Sequence, residues 1–202
     1  MSATGTEALR EATYRDVLEA PPRMIAQVVD GTLHLHPRPV NWHGVSSTAL
    51  TMSLGNPFQR GVGGPGGWVF VHEPELHLGP KGKDILVPDL VAWRKENYIE
   101  PELRAYYTKT PDWVCEFLSS STQNLDKGRK SDIYAREGAS HLWLLDPIPR
   151  TLEGFAVVEG AWRRIAYLSN DAEVSVPPFE EISFSLSELW EHFGDSPSDQ
   201  GS

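Results

Sequence analysis

Two carboxylates set inside apolar runs are the residues of this chain that most need a chemical explanation. Asp89 stands in VPDLVAW and Glu116 in PDWVCEF, each among branched and aromatic side chains that read as strand. On a strand, Glu116 shares its face with Asp112, Val114 and Leu118. A carboxylate buried in such a setting is costly unless it is paired or bound to a metal. Two of them on neighbouring strands suit a hard divalent cation, because Mg²⁺ takes one or two carboxylates and keeps several waters. An ion held this way activates water and neutralises charge during phosphodiester cleavage.

The segment after Glu116 supplies the complementary cations. Residues 127 to 136 carry Lys127, Arg129, Lys130 and Arg136 against the single acid Asp132. On a helix, Lys130 and Tyr134 are i,i+4 neighbours, and Lys127 lies one turn away on an adjacent row. Packed on the sheet, such a helix aims Lys130 at the carboxylate pair, to orient water or stabilise a scissile phosphate. Asp112 follows a proline as Asp89 does, so it is the alternative ligand; its place at the start of a strand equally suits a turn cap. Tyr134 reads first as core packing.

The elements that must position these groups follow from periodicity and turn chemistry. A short helix over residues 13 to 20 is stopped by Pro21 and Pro22. Residues 24 to 29 and 32 to 36 form a hairpin about Asp30-Gly31, a pair suited to positive φ. Apolar spacing predicts a helix over 42 to 58, followed by the loop GVGGPGG. Strands are expected over 68 to 71, 75 to 78, 85 to 93 and 113 to 118, then a helix over 124 to 137 ended by Gly138. Ser121, Thr122 and Asn124 are its N-cap candidates. HLWLLD reads as a central strand covered on both faces. Residues 151 to 158 and 162 to 168 form a second hairpin about Glu159-Gly160, and 187 to 193 a short helix. This order implies an α/β (α+β) fold with a mixed β-sheet flanked by helices and additional β-hairpins. One domain over residues 11 to 193, with flexible termini at 1 to 10 and 194 to 202, fits the length of 202 residues.

The stretch from Pro88 to Pro147 resembles the Uma-two family, a branch of the PD-(D/E)xK nuclease superfamily. PDLVAW, PDWVCEFLSSST, the KSDIYAREG run and HLWLLDP carry the resemblance, and VVDGTLHLHPRPVNWH extends it toward the N-terminus. It implies a restriction-endonuclease-like fold, Asp89 and Glu116 as ligands of Mg²⁺ (or Mn²⁺), and DNA as substrate. The superfamily's lysine two residues after the acid is replaced by Leu118, and the resemblance moves that role to Lys130. Where the family often has an acid in its first strand, this chain has Gln27. His43 matches the family pattern and is expected to border the cleft.

Other features carry blander readings. His34 and His36 alternate on one strand face and form an H-x-H pair able to ligate a transition metal, which would make the chain a cupin-like metal protein. Partly exposed histidines near a turn explain them more simply. GVGGPG matches a dinucleotide fingerprint in letters, yet it follows a helix and precedes a strand, the reverse of what that motif needs. Cys115 alternates away from Glu116 and reads as a buried apolar residue. Ser119, Ser120 and Ser121 lack a nucleophile-elbow context.

Composition bounds the function. The net charge is −10, but eight of the 28 acidic residues lie in 171 to 202, which hold no Lys or Arg. A strongly basic clamp for DNA is excluded; a metal-dependent nuclease is not. A single cysteine excludes an intrachain disulfide and a multi-cysteine zinc site. No apolar run approaches the ~18 residues of a membrane span, and nothing reads as a signal peptide, so a cytoplasmic location is expected. Cutting both strands of a duplex favours a homodimer with two sites. The alternative function is an inactive nuclease fold that binds nucleic acid or a protein partner.

Overall fold

The computed structural model describes residues 10–37, 41–119 and 122–192. The termini expected to be flexible, most of residues 1 to 10 and all of 194 to 202, lie outside the described residues, as do the cap candidate Ser121 and Phe193 of the last predicted helix.

Apolar alternation builds the central layer. A six-stranded mixed sheet runs in the order β10-β9-β8-β7-β6-β3. Its strands are β3 (Trp68–His72), β6 (Leu90–Arg94), β7 (Trp113–Phe117), β8 (His141–Asp146), β9 (Thr151–Val158) and β10 (Ala161–Ser169). β7 and β8 are parallel, and every other pairing in this sheet is antiparallel. β7 is fully buried along its length, as a strand covered on both faces must be.

The two faces of that sheet own separate cores. Trp113, Cys115 and Phe117 point to one side with Trp143, Leu145 and Leu90. There they meet helix α2 (Asn41–Leu54, prolonged by the wider turn Gly55–Gln59) through Leu50, Leu54 and Phe58. The chain after β10 covers the same side with Val176, Phe179, Leu189 and Trp190. Val114, Leu118, Val91, Trp93, Leu142 and Leu144 point the other way, toward helix α3 and a second sheet. Helix α3 runs through Gln123–Leu125, Asp126–Lys130 and Ser131–Arg136 without a break, its middle segment wound as a π-turn. In that turn the Ser131 hydroxyl donates to the Asp126 carbonyl five residues earlier. Gly138 then takes φ +97°, the left-handed residue that ends the helix.

The second sheet is a four-stranded antiparallel one, β2-β1-β5-β4, built from β1 (Met24–Val29), β2 (Thr32–Pro37), β4 (Leu76–Leu78) and β5 (Asp84–Leu86). The run expected as one strand over 85 to 93 is therefore two strands in different sheets. Pro88 explains the break: it offers no N–H to a ladder, so a central strand does not run through it. Asp89 stands at this crossing between the sheets. The Asp30-Gly31 turn has φ values of 47° and 76°, as a tight hairpin requires. Helix α1 (Tyr14–Leu18) starts in a capping box in which the Thr13 backbone N–H donates to Asp16. Only one turn, Leu186–Leu189, forms in the last predicted helix, and it follows a two-stranded ribbon, β11 (Glu173–Val174) with β12 (Phe184–Ser185). Among the described residues, no helix is long and apolar enough to cross a membrane.

Close packing between β9 and the covering segment gives a direct test. A Cβ on Gly154 would lie 2.8 Å from Val176 Cγ1 and 3.4 Å from Ala166 Cβ. Gly154→Ala is expected to cost about 1–3 kcal/mol by overpacking. Urea denaturation of Gly154→Ala alone and combined with Val176→Ala checks this, because the second change relieves part of the first loss if the clash is its cause.

Candidate active site

Asp89 and Glu116 meet where β6 begins and β7 ends. Leu90 is opposite Cys115 in the antiparallel ladder, so the register brings Asp89 beside Glu116 one step further on. The Phe117 N–H donates to Asp89 Oδ2 at 2.6 Å, joining the two strand ends. His43 Nε2, reaching over from α2, lies 3.1 Å from the same oxygen. Burial opposes the charge of His43, but its hydrogen bond to Asp89 and the nearby Asp89 and Glu73 carboxylates outweigh it and raise its pKa. The protonated form is thus favoured against Asp89.

Glu116 is buried completely and is served from α3. Lys130 Nζ lies 2.8 Å from Glu116 Oε1 and 2.9 Å from Asp126 Oδ1. The Tyr134 hydroxyl donates to Glu116 Oε1 at 2.7 Å. Burial acts against the lysine's charge, but Asp126, then Glu116 and Asp89, hold its pKa above the ordinary value. Burial also pushes Glu116 above its ordinary 4.5; Lys130 pulls it back, while Asp126 and Asp89 add to the rise. Burial raises the Tyr134 phenol well above its usual range as well, so it serves Glu116 as a donor.

The residues suggested by sequence thus separate into three groups. Asp89, Glu116, Lys130, His43 and Tyr134 form one connected cluster. Gln27 sits outside it: its buried Oε1 accepts the Val87 N–H at 2.8 Å and braces the segment leading into Asp89. Asp112 and Lys127 are engaged elsewhere. Asp112 accepts the Arg94 N–H and the Asn97 amide at the opposite end of β7, the turn cap that its position suggested. Lys127 lies 3.5 Å from Glu153. Sequence reasoning missed Asp126, although an acid four residues before a lysine on one helix was its signal. It also missed His72, whose Nδ1 lies 3.1 Å from Ser47 Oγ and Nε2 2.7 Å from Thr51 Oγ1. Burial lowers the pKa of His72.

The four basic side chains of residues 127 to 136 are all paired. Arg129 bonds Asp30, Arg136 bonds Asp84 and Glu137, and Lys127 and Lys130 are held as described. Their count overstates the positive field that a substrate meets.

Asp89 and Glu116 fit a hard divalent cation. Their described contacts fall on Oδ2 and Oε1, leaving Oδ1 and Oε2 for an ion that completes its shell with water. The H-x-H pair does not gather a comparable set. Its rings stack with centroids 6.2 Å apart, and among the described residues no group of three or more His, Cys, Asp or Glu side chains is arranged to hold a metal, so Asp89 and Glu116 too offer a pair of ligands and not a full cage. Cys115 is fully buried, and burial drives its thiol pKa up, away from nucleophilic use.

Removing the buried ammonium tests the electrostatic account. A carboxyl with a raised pKa favours the fold below its ordinary value of 4.5, and that contribution is lost as pH rises through the raised value. Lys130→Met removes the charge that restrains this loss. The variant is expected to lose about 3–5 kcal/mol at pH 8 and less at pH 5, where Glu116 can take a proton. Urea denaturation at both pH values measures it, and an equal loss at the two would contradict the account.

Comparison with known proteins bears on the family and the fold. A family model described as "Putative restriction endonuclease", Uma2, matches residues 12–187. A crystal structure of a "putative nuclease" from Anabaena variabilis ATCC 29413 is similar with a TM-score of 0.68 and 19% identity, covering 89% of this chain and 98% of that one. At that identity the likeness speaks for the fold alone. No curated protein matches the chain.

Proposed function

The chain belongs to the Uma2 restriction-endonuclease family, and on that premise we propose that it is a divalent-cation-dependent endonuclease hydrolysing DNA phosphodiester bonds. The observation that carries this reading is the meeting of Asp89 and Glu116 at adjoining strand ends with Lys130 against Glu116. Mg²⁺ or Mn²⁺ suits this donor set and, when bound, supplies an activated water and charge neutralisation at the scissile phosphate.

The chain's own residues prepare that site. Lys130 and Tyr134 fix Glu116 Oε1, and the lysine's charge favours the carboxylate form that a cation needs. His43 and the Phe117 N–H fix Asp89 Oδ2, so both carboxylates are oriented before any ligand arrives. A homodimer would present two such sites to a duplex. Purified protein with supercoiled, linear or single-stranded DNA is expected to cleave in Mg²⁺ or Mn²⁺ and to stop in EDTA. Asp89→Ala and Glu116→Ala should each lower the rate about a hundredfold or more, each ~1.4 kcal/mol of lost barrier reduction being tenfold. Cleavage unchanged in Glu116→Ala would sink the assignment.

A specific observation favours a second reading, a nuclease-fold protein that binds nucleic acid or a protein partner without cutting. Gln27, where the family often has an acid, is neutral and already committed to Val87. Lys130 is locked between two carboxylates. Calorimetric titration with Mn²⁺ separates the readings. The enzyme predicts a site that Asp89→Ala abolishes, whereas absence of binding supports the second.

A further inference from the structure

The row of residues containing Glu116 continues across the sheet to a surface that the proposed chemistry leaves unused. Glu116 of β7 is opposite Leu144 of β8, Leu144 is opposite Glu153 of β9, and Glu153 is opposite Tyr167 of β10. Directly opposed residues share a sheet face, so Glu116, Glu153 and Tyr167 all lie on the side that carries α3. With neighbouring strands about 4.8 Å apart, Tyr167 stands about 14 Å from Glu116 along this row.

A bulge makes this end of the row chemically useful. Arg164 and Tyr167 are three residues apart and would point to opposite faces of a regular strand. The register slips between Arg164 and Ala166, and the extra residue returns both side chains to the α3 face. There the Arg164 guanidinium lies over the Tyr167 ring, 5.5 Å from its centroid. Arg164 also bonds Glu153 Oε2 at 3.0 Å, while Lys127 approaches Glu153 Oε1 at 3.5 Å. Trp162 pins the hairpin to α3 by donating to the Ser131 carbonyl. Tyr167 is 58% exposed, and the Arg164 and Lys127 side chains 56% and 44%.

Two cations therefore flank one carboxylate beside an open aromatic ring, with a surplus of positive charge. A phosphodiester group can take the place of Glu153 between them, since arginine matches phosphate geometry. A base can stack on the ring, as in sequence-tolerant single-strand binding. A duplex offers no unstacked base, and the addition of a protein strand to this edge is opposed by the bulge and by Arg163 and Arg164. We propose that Lys127, Arg164 and Tyr167 form a platform for an unpaired nucleic-acid strand, holding one phosphate between the cations and one base on Tyr167. The proposal rests on the reading of the chain as a nucleic-acid enzyme and adds where the strand is gripped: at about 3.4 Å per stacked nucleotide, about four nucleotides from the metal site.

Fluorescence anisotropy with fluorescein-labelled oligothymidylates of three and twelve nucleotides, using the full chain in EDTA, tests this. The twelve-mer is expected to bind more tightly than the three-mer. Tyr167→Ala should weaken the twelve-mer roughly tenfold, while Tyr167→Phe, which keeps the ring, should not. Arg164→Ala should lower the slope of log affinity against log salt by about 0.7. Unchanged twelve-mer binding in Tyr167→Ala, or a duplex that competes as well as the single strand, overturns the platform and leaves the cleavage reading untouched. Tyr167-dependent binding without cleavage in Mn²⁺ supports the platform and removes the cleavage reading. Failure of every oligonucleotide to bind in EDTA overturns the platform, and the cleavage reading is then decided by the Mn²⁺ assay alone.

Discussion

One ammonium group, Lys130 Nζ, is buried between Glu116 and Asp126, and much of the molecule is arranged to keep it there. A charge taken out of water is tolerable only when its partners are close and their remaining valences are met. The π-turn over Asp126–Lys130, the Tyr134 hydroxyl on Glu116 and the Ser131 hydroxyl on the Asp126 carbonyl meet those conditions from a single helix. Helix α3 is thereby fixed to β7 in rotation as well as in position. An apolar contact alone would tolerate a slide; three ionic groups at hydrogen-bonding distance do not.

The alternation of β7 divides the labour. Cys115 and Phe117 belong to the core under α2, whereas Val114 and Leu118 belong to the core under α3, and Glu116 is buried between them on that side. The acidic group is buried on the α3 side, where Lys130 and Tyr134 reach it, while its neighbour Phe117 offers a backbone N–H to Asp89. Side chain and main chain of adjacent residues in one strand orient two different carboxylates. The cost of burying Glu116 falls on the same packing that supplies stability, the usual tension between a preorganised site and a relaxed fold.

Much of this was legible in the sequence because it is local. Carboxylates inside apolar runs, the helical spacing around Lys130, the two tight turns and the left-handed Gly138 each follow from neighbouring residues. What stayed hidden depends on distant pairing. Residues 85 to 93 read as one apolar strand, because periodicity cannot tell that the two halves join different sheets; Pro88 alone marks the break. Asp126 is buried beside Lys130, and nothing in the sequence around it discloses that burial. Arg129 counts in the sequence as one of four cations on this helix, and nothing nearby discloses that its carboxylate partner, Asp30, lies 99 positions away.

That separation bears on how the molecule is built in time. The charged groups of α3 close on Asp30, Asp84, Glu116 and Glu153, which come from four different strands or turns. Loop-closure entropy is spent before any of these pairs can form, so contacts of such long range come after local turns and helices in folding. An isolated α3 would carry an excess of positive charge with no acid to answer it outside Asp126 and Asp132. The helix becomes electrically quiet only when both sheets are complete, and charge neutralisation of this one segment is therefore a built-in sign that assembly has finished.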